Sequence, residues 1–411
     1  MEMTRVFDIL DNLKLNSTKT DILSCKELLP NGKSGKNWTK HSVADLISNV
    51  NHISAGLLAL GLKKGDTIGI MSNNRPEWNF VDFAVQQVGM PSVPIFPTVG
   101  ADDLKFILTH SEAKAIFISD KGIYNKLQLI QKDLPNLKHI YTFNQVEGAK
   151  NLSELIELGK KNYDTAAIDN IKASISENDL FTLLYTSGTT GHPKGVMISH
   201  KGLLSNVISL QTLAPIEASW KALSFLPLNH VYERVLVNLY LYKGVSVYYA
   251  ENFETIAENA RDIQPEIFVA VPRIFERVIE KFYAAGDKLT GFKKKIFDLS
   301  IKVAEKYELH GANGAWYELQ RKICDKLVYS KWRAAFGGKL VCIVSGGAAL
   351  NPKIERVFSC AKITLLQGYG MTETSVVIAA NCFGENNIKF GTVGPVLSGV
   401  TVKIAEEDGE I

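Results

Sequence analysis

Short β-favouring runs alternate with helical stretches along nearly the whole chain, and this alternation constrains the fold more than any single residue. Strands and helices interleaved in this way bury their apolar faces by stacking in layers, which argues an α/β architecture. Thr67-Ile68-Gly69-Ile70-Met71 reads as a buried strand, as does Leu340-Val341-Cys342-Ile343-Val344. After the latter come a Ser345-Gly346-Gly347 turn and a helix start at Asn351-Pro352. Asparagine suits the N-cap there and proline the first helical position. Ile363-Thr364-Leu365-Leu366 is a third strand, followed by a loop rich in Gly, Tyr and Thr. Ligand sites in α/β proteins lie just past strand C-termini, where these glycine loops fall.

The chain has 411 residues, 46% of them hydrophobic and 22% charged. A chain that long holds more than one core, since single cores stop growing near ~250–300 residues. A net charge of +3 does not call for nucleic acid as a partner. Cys25, Cys324, Cys342, Cys360 and Cys382 lie far apart, without a Cys-x-x-Cys or Cys/His cluster. Neither a zinc site nor a disulfide framework is indicated. The start, Met1 to Asp8, is polar and lacks a signal-peptide core. No run approaches the ~18 apolar residues of a spanning helix. A cytoplasmic protein with reduced thiols is expected.

The richest segment chemically is Tyr185-Thr186-Ser187-Gly188-Thr189-Thr190-Gly191-His192-Pro193-Lys194-Gly195. Strand-like Leu180–Leu184 leads in and strand-like Val196–Ser199 leads out. Three glycines let the backbone turn and approach a ligand closely. Thr186, Ser187, Thr189 and Thr190 add hydroxyl donors, and Lys194 adds a positive charge. Such a loop suits a polyphosphate, whose oxygens take N–H, O–H and ammonium donors. It is not a Walker A loop: two residues separate Gly188 from Gly191, a proline precedes the lysine, and a strand follows instead of a helix. The bland reading is a surface hairpin.

Gln367-Gly368-Tyr369-Gly370-Met371-Thr372-Glu373-Thr374 is a second constellation. It combines an aromatic face for a purine, a hydroxyl for a phosphate and a carboxylate for a hard cation. Leu226-Pro227-Leu228-Asn229-His230-Val231-Tyr232-Glu233-Arg234 holds the most interesting of eight histidines. Any one histidine is more often structural than functional.

Together these segments resemble the AMP-forming adenylating enzymes: acyl-CoA synthetases, peptide-synthetase adenylation domains and luciferases. The resemblance runs from the region of Trp38 to the end. It implies that Thr186, Ser187, Gly188, Thr189, Thr190, Gly191 and Lys194 hold the phosphates of ATP. It assigns Tyr369 to adenine, Thr372 to the α-phosphate, and Glu373 with Thr186 to Mg²⁺; it also implies that Gln367 and Gly368 bind the nucleotide. Ser345-Gly346-Gly347-Ala348-Ala349-Leu350 resembles the family's third nucleotide segment, with Gly347 and Ala348 lining adenine through the backbone. The common pattern has proline at position 349, where this chain has alanine. His230 matches a substrate-gating motif, at the acyl carboxylate and the entry to an acyl tunnel. His230, Lys194, Thr372 and Glu373 are thus the implied catalytic groups.

Val271-Pro272-Arg273-Ile274-Phe275-Glu276-Arg277-Val278 and the stretch ending Leu327-Val328-Tyr329-Ser330-Lys331 resemble the long-chain fatty acid branch. The implied reaction joins a long-chain fatty acid to coenzyme A through an acyl-adenylate, releasing AMP and pyrophosphate. The implied fold is the layered α/β subdomains of the large N-terminal domain, residues 1–411, incomplete at its C-terminal end. Within it, 281–340 is a helical insertion and 391–411 the start of a small β-barrel subdomain. A small C-terminal domain, with a lysine for the α-phosphate and a nearby ribose-binding aspartate, is expected beyond Ile411. Another acyl- or aryl-adenylating enzyme, and a nucleotide-binding domain without turnover, stay open as alternatives.

In residues 281–340, Phe292, Ile296, Leu299 and Val303 sit at helical spacing, as do Trp316, Leu319, Ile323 and Leu327. Gly311-Ala312-Asn313-Gly314 would turn the chain between them. The segment holds thirteen Lys and Arg against six Asp and Glu. One reading is a helical hairpin with solvated lysine faces. The other is a basic surface that meets an anionic partner, either the inner face of a membrane or the phosphates of coenzyme A. Pairing as a homodimer is left open.

Overall fold

Parallel strands buried on both faces read as continuous apolar runs, and the two sheets of this chain are built around such runs. The computed structural model describes residues 3–29, 34–186, 191, 193–384, 387–407 and 409–410. They fall into two units. One comprises Met1–Ile208 with Leu226–Glu251, the other Ser209–Phe225 with Asn252–Ile411.

The first unit carries a seven-stranded sheet. Across it run Lys150–Asn151, His139–Thr142, Ala115–Ile118, Ile68–Met71, Ser92–Pro94, Leu180–Thr186 and Lys194–Ser199. All neighbours are parallel except the last pair. Every residue of Ile68–Met71 and Ala115–Ile118 is buried. Ile68–Met71 is the first of these strands in the chain. The second, Ser92–Pro94, lies on one side of it and the third, Ala115–Ile118, on the other. The chain therefore reverses its direction of travel at Ile68–Met71, and the crevice beyond the carboxyl ends of the strands at such a reversal accepts ligands. The same unit holds Ser246–Tyr249 parallel to Leu23–Leu28, which pairs antiparallel with Ser34–His41.

In the second unit Lys221–Ser224, Ile267–Ala270, Cys342–Ser345 and Thr364–Met371 run parallel, in that order. Val376–Ala380 closes the edge in the antiparallel sense. Beyond it, an isolated bridge joins Ala379 to Val396, and the described residues from 391 to 410 form no strand.

Residues 281–340 are largely helical, as their spacing predicts, with Gly291–Glu305, Ala315–Cys324, a π-helical turn at Asp325–Tyr329 and Ser330–Ala335. Gly311 and Gly314, at φ 71° and 80°, make the turn. Its core is Phe297, Val303, Ala304, Cys324, Val328 and Tyr329. Trp332 stacks flat on Phe282 with centroids 4.8 Å apart. Trp316, Leu319, Ile323 and Leu327 are not in that core; they are exposed. The spacing locates the helix correctly but does not say which side faces in.

Candidate active site

In the first unit the two strands on either side of the hydroxyl-rich segment pair with each other. Leu180–Thr186 and Lys194–Ser199 pair antiparallel, with Thr186 opposite Lys194 and Tyr185 opposite Gly195. Directly opposed residues of an antiparallel pair project to the same face. The Thr186 hydroxyl and Lys194 ammonium thus share one face at the open end. Lys194 is exposed and Thr186 half-buried. Gly191 adopts φ 96°, a conformation that favours glycine. Ser187, Gly188, Thr189 and Thr190 lie outside the described residues. The incoming strand is fixed by Tyr185, whose hydroxyl sits 2.7 Å from His110 Nδ1. Burial pushes the Tyr185 phenol up to about 12, so it stays protonated.

His230 is placed by two asparagines. Asn229 Nδ2 donates to the carbonyls of Ile95 (2.6 Å) and Ile70 (3.4 Å), at the carboxyl ends of adjacent parallel strands. Asn74 accepts from the Leu228 N–H at 2.8 Å and donates to the Leu226 carbonyl at 2.6 Å. The loop that presents His230 is thereby seated on the crevice where the strand order reverses. His230 caps the helix Val231–Tyr242, and its Nδ1 accepts the Tyr232 N–H at 3.1 Å. An accepting Nδ1 carries no proton, which leaves the proton of the neutral ring on Nε2. His230 is exposed at the surface, yet neighbouring protein partly desolvates its ring. That desolvation holds its pKa below the ordinary histidine value, and the positive end of the helix dipole acts in the same direction. His230 is therefore a neutral Nε2–H donor near pH 7.

The helix behind His230 is anchored by a buried charge that sequence reasoning left unassigned. Arg234, 0% exposed, donates to Asp82 Oδ2 at 3.1 Å, to Thr182 Oγ1 at 2.8 Å and to Ser92 Oγ at 2.9 Å. Its guanidinium also stacks 4.1 Å above Phe181. Burial pushes the Asp82 carboxyl up and Arg234 down, opposed by their mutual attraction. Arg234 joins the His230 helix to Leu180–Thr186, the strand that leads into the hydroxyl-rich segment. A charged residue three positions into an apolar helix was the only signal in the sequence.

In the second unit, the turn after Cys342–Ser345 leaves Gly347, Ala348 and Ala349 exposed. Gly347 has φ 80°. The helix Pro352–Cys360 follows as expected, with Asn351 accepting the Lys353 N–H. Gln367 is buried and its amide is occupied at both ends. Oε1 accepts the Leu350 N–H at 3.2 Å, while Nε2 donates to Glu355 Oε1 at 2.8 Å and to the Thr392 carbonyl at 3.3 Å. Glu355, whose pKa burial raises, also accepts the Gly391 N–H at 2.7 Å. The Gln367 side chain therefore holds the 346–350 turn in place.

Tyr369 is half-buried opposite Ala379, and the register slips between Tyr369 and Gly370. A Cβ on Gly370 would stand 1.6 Å from the Val376 carbonyl oxygen, so only glycine fits there. A Cβ on Gly368 would have ordinary contacts. Ser375 and Val376 take φ 58° and 105°. The second is an outlier for a β-branched residue, of the strained kind that clusters at ligand sites. Thr374 Oγ1 pins the turn by accepting from the Met371 N–H at 3.1 Å. The result presents Thr372, half-buried, and Glu373, exposed, on a tightly specified loop. Among the described residues no three His, Cys, Asp or Glu side chains converge. The exposed Glu373 carboxylate is an oxygen donor of the kind that suits Mg²⁺, which binds through one or two protein ligands together with substrate phosphates and water.

The sequence profile of the AMP-binding enzyme family matches residues 26–411. A long-chain-fatty-acid–CoA ligase of Mycobacterium bovis, FadD15, is 31% identical over 379 residues, 91% of this chain and 62% of the ligase. The chain thus spans less than two thirds of that relative's length. Among solved structures, a long-chain-fatty-acid-CoA ligase (FadD1) from Archaeoglobus fulgidus matches with TM-score 0.74 and 19% identity. That match covers 99% of this chain and 71% of the other. The N-terminal domain of FACL13 from Mycobacterium tuberculosis matches with TM-score 0.71 and 19% identity, over 99% of this chain and 86% of the other. At those identities the structures establish the fold.

Proposed function

The chain belongs to the AMP-binding enzyme family, and from that premise we propose that it activates a long-chain fatty acid as the acyl-adenylate for transfer to coenzyme A. The observation that carries the reading is the pairing of Thr186 with Lys194 on one face of the phosphate-loop hairpin. Support for the substrate class comes from the 31% identity to a long-chain ligase.

In the first half-reaction a carboxylate oxygen forms a bond to the α-phosphorus of ATP and the bond to the β-phosphate oxygen breaks. Two anions must meet, so charge neutralisation is the main task. Lys194 lies against the β- and γ-phosphates and the departing pyrophosphate. Thr372 donates its hydroxyl to the α-phosphate, and Tyr369 packs on adenine beside the Gly347 and Ala348 backbone. His230, neutral with its proton on Nε2, donates to the acyl carboxylate and guards the acyl entry. Gln367, in the same nucleotide segment, also positions the adenine turn through its bond from the Leu350 N–H. By the family resemblance Glu373 and Thr186 would each offer an oxygen to Mg²⁺, which would screen the phosphate charge. In the second half-reaction the thiolate of coenzyme A forms the thioester bond as the acyl–phosphate bond to AMP breaks. The small C-terminal domain and its lysine belong to this proposal, as does the β-barrel subdomain beginning at 391–411. So does a cytoplasmic setting, in keeping with five unpaired cysteines.

Calorimetry with Mg²⁺·ATP on the 411-residue chain tests the nucleotide site. Lys194→Ala and Glu373→Gln should each weaken binding about tenfold or more. Pyrophosphate release across a series of carboxylic acids, on a chain of the relatives' full length, tests the substrate class. Long-chain acids should support release, and Glu373→Gln should slow it by about 10²-fold. Release with aryl acids alone would install the aryl alternative. Binding without release would leave a nucleotide-binding module, and wild-type ATP affinity in both variants would remove the site assignment.

A further inference from the structure

The helix Ala315–Cys324 and the π-helical turn after it expose a stripe that water does not favour. Trp316 is 72% exposed, Leu319 50%, Ile323 52% and Leu327 41%. Spacings of three and four residues put all four on one side. The other side is fully engaged. Tyr317 donates to the Val303 carbonyl, Tyr329 donates to the Ser300 carbonyl at 2.6 Å, and Cys324 and Val328 are buried. The helix therefore does not need the stripe to hold its place. Isolated exposed apolar residues are ordinary, but a continuous row of large ones marks an interaction surface.

The rim of the stripe says what covers it. Lys322 and Lys326, each one residue before an exposed aliphatic, are exposed and form no ion pair among the described residues. The preceding helix, Gly291–Glu305, exposes Phe292 (77%) and Leu299 (45%) beside Lys295 and Lys302. Lys294 is the exception, tied to Asp287 and Asp298 at 2.9 and 2.8 Å. A second copy of this surface would set lysines against lysines, which disfavours self-pairing. Apolar side chains with a tryptophan, rimmed by lysines, match an anionic lipid surface. No helix among the described residues is long and apolar enough to cross a membrane.

We propose that the outer face of Ala315–Cys324 and its following turn docks on anionic lipid. Trp316, Leu319, Ile323 and Leu327 enter the boundary between headgroups and acyl chains, and Lys322 and Lys326 meet the headgroup phosphates. The surface lies within one unit and does not depend on the ligase reading, so either can fail without the other. If both hold, docking brings the protein to the phase in which a long-chain fatty acid dissolves.

The test is co-sedimentation of the 411-residue chain with vesicles of phosphatidylcholine alone or mixed with phosphatidylglycerol. Binding should need phosphatidylglycerol and fade as salt rises. Trp316→Ser, Leu319→Ser and Ile323→Ser combined should weaken partitioning at least about tenfold, given the apolar area withdrawn. Lys322→Gln and Lys326→Gln should each cost about fivefold at low salt. Thermal unfolding of the variants confirms that they fold. Equal binding by wild type and the triple variant overturns the proposal, as does equal binding to both vesicle types. Sedimentation velocity covers the remaining occupant: self-association that the triple variant abolishes, without vesicle binding, would make the stripe an interface between copies.

Discussion

Two helices of this protein invert the usual rule of burial. In Val231–Tyr242 an arginine is wholly buried, in contact with a carboxylate, two hydroxyls and two aromatic rings. In Ala315–Cys324 a tryptophan lies mostly in solvent. The first helix is buried along nearly its whole length, so the Arg234 charge, like that of its neighbour Glu233, must be accommodated inside the core. The second is packed on one side only, and its polar and apolar residues share the free side. Burial here follows from what surrounds an element, and residue type decides only what that burial costs.

The largest test of this contrast is Arg234→Met. It strands the Asp82 carboxylate in the core, which should cost about 3–5 kcal/mol of stability in urea unfolding. Adding Asp82→Leu should recover most of that loss, because a well-packed apolar pair substitutes for a buried ion pair. A cost below about 1 kcal/mol for Arg234→Met would mean that water reaches the pair.

His200 probes the same core through pH. It is buried against Phe7 and Phe181, its Nδ1 accepts the Val6 N–H at 3.3 Å, and burial pulls its pKa down to about 4. The unfolded chain therefore binds a proton near the ordinary histidine value that the folded chain refuses. The stability from a neutral His200 is complete above about pH 6.5 and is lost progressively as pH falls towards 4, by up to about 3 kcal/mol. His200→Phe should flatten the acid limb of a stability–pH curve over that window. An unchanged slope would show that the ring protonates freely in the fold.

The smallest effect belongs to the other helix. Trp316→Ser should change stability by no more than about 0.5 kcal/mol, since an exposed side chain loses little packing. A loss like that of a core aromatic would erase the contrast and show the stripe to be covered.

Much of the fold was legible because its strands are short, continuous apolar runs. Ile68–Met71, Leu180–Thr186 and Cys342–Ser345 form within two or three residues of their sequence expectations. The Asn351 cap and the glycine turn at 311–314 formed for local reasons of hydrogen bonding and φ. Lys194 and Thr186 were legible as single donors, but their pairing across the two strands came only with the register of the sheet. The scaffold work of Gln367 could not be read from its segment, because its amide partners Leu350, Glu355 and Thr392 come from elsewhere along the chain. Asn74, which lies far along the chain from the loop it holds, left no local trace at all.

The sequence by itself determined the periodicities, the turns, the hydroxyl-rich hairpin and the family, since each depends on neighbours a few residues apart. Only the tertiary structure decided which face of each helix is covered, which polar side chains serve the scaffold, and where a buried arginine finds its partners. Those outcomes depend on groups brought together from distant positions, such as Asp82, Ser92 and Thr182 around Arg234. A periodic pattern gives the angle between residues on a helix, but the direction in which the helix faces is set by the layer packed against it.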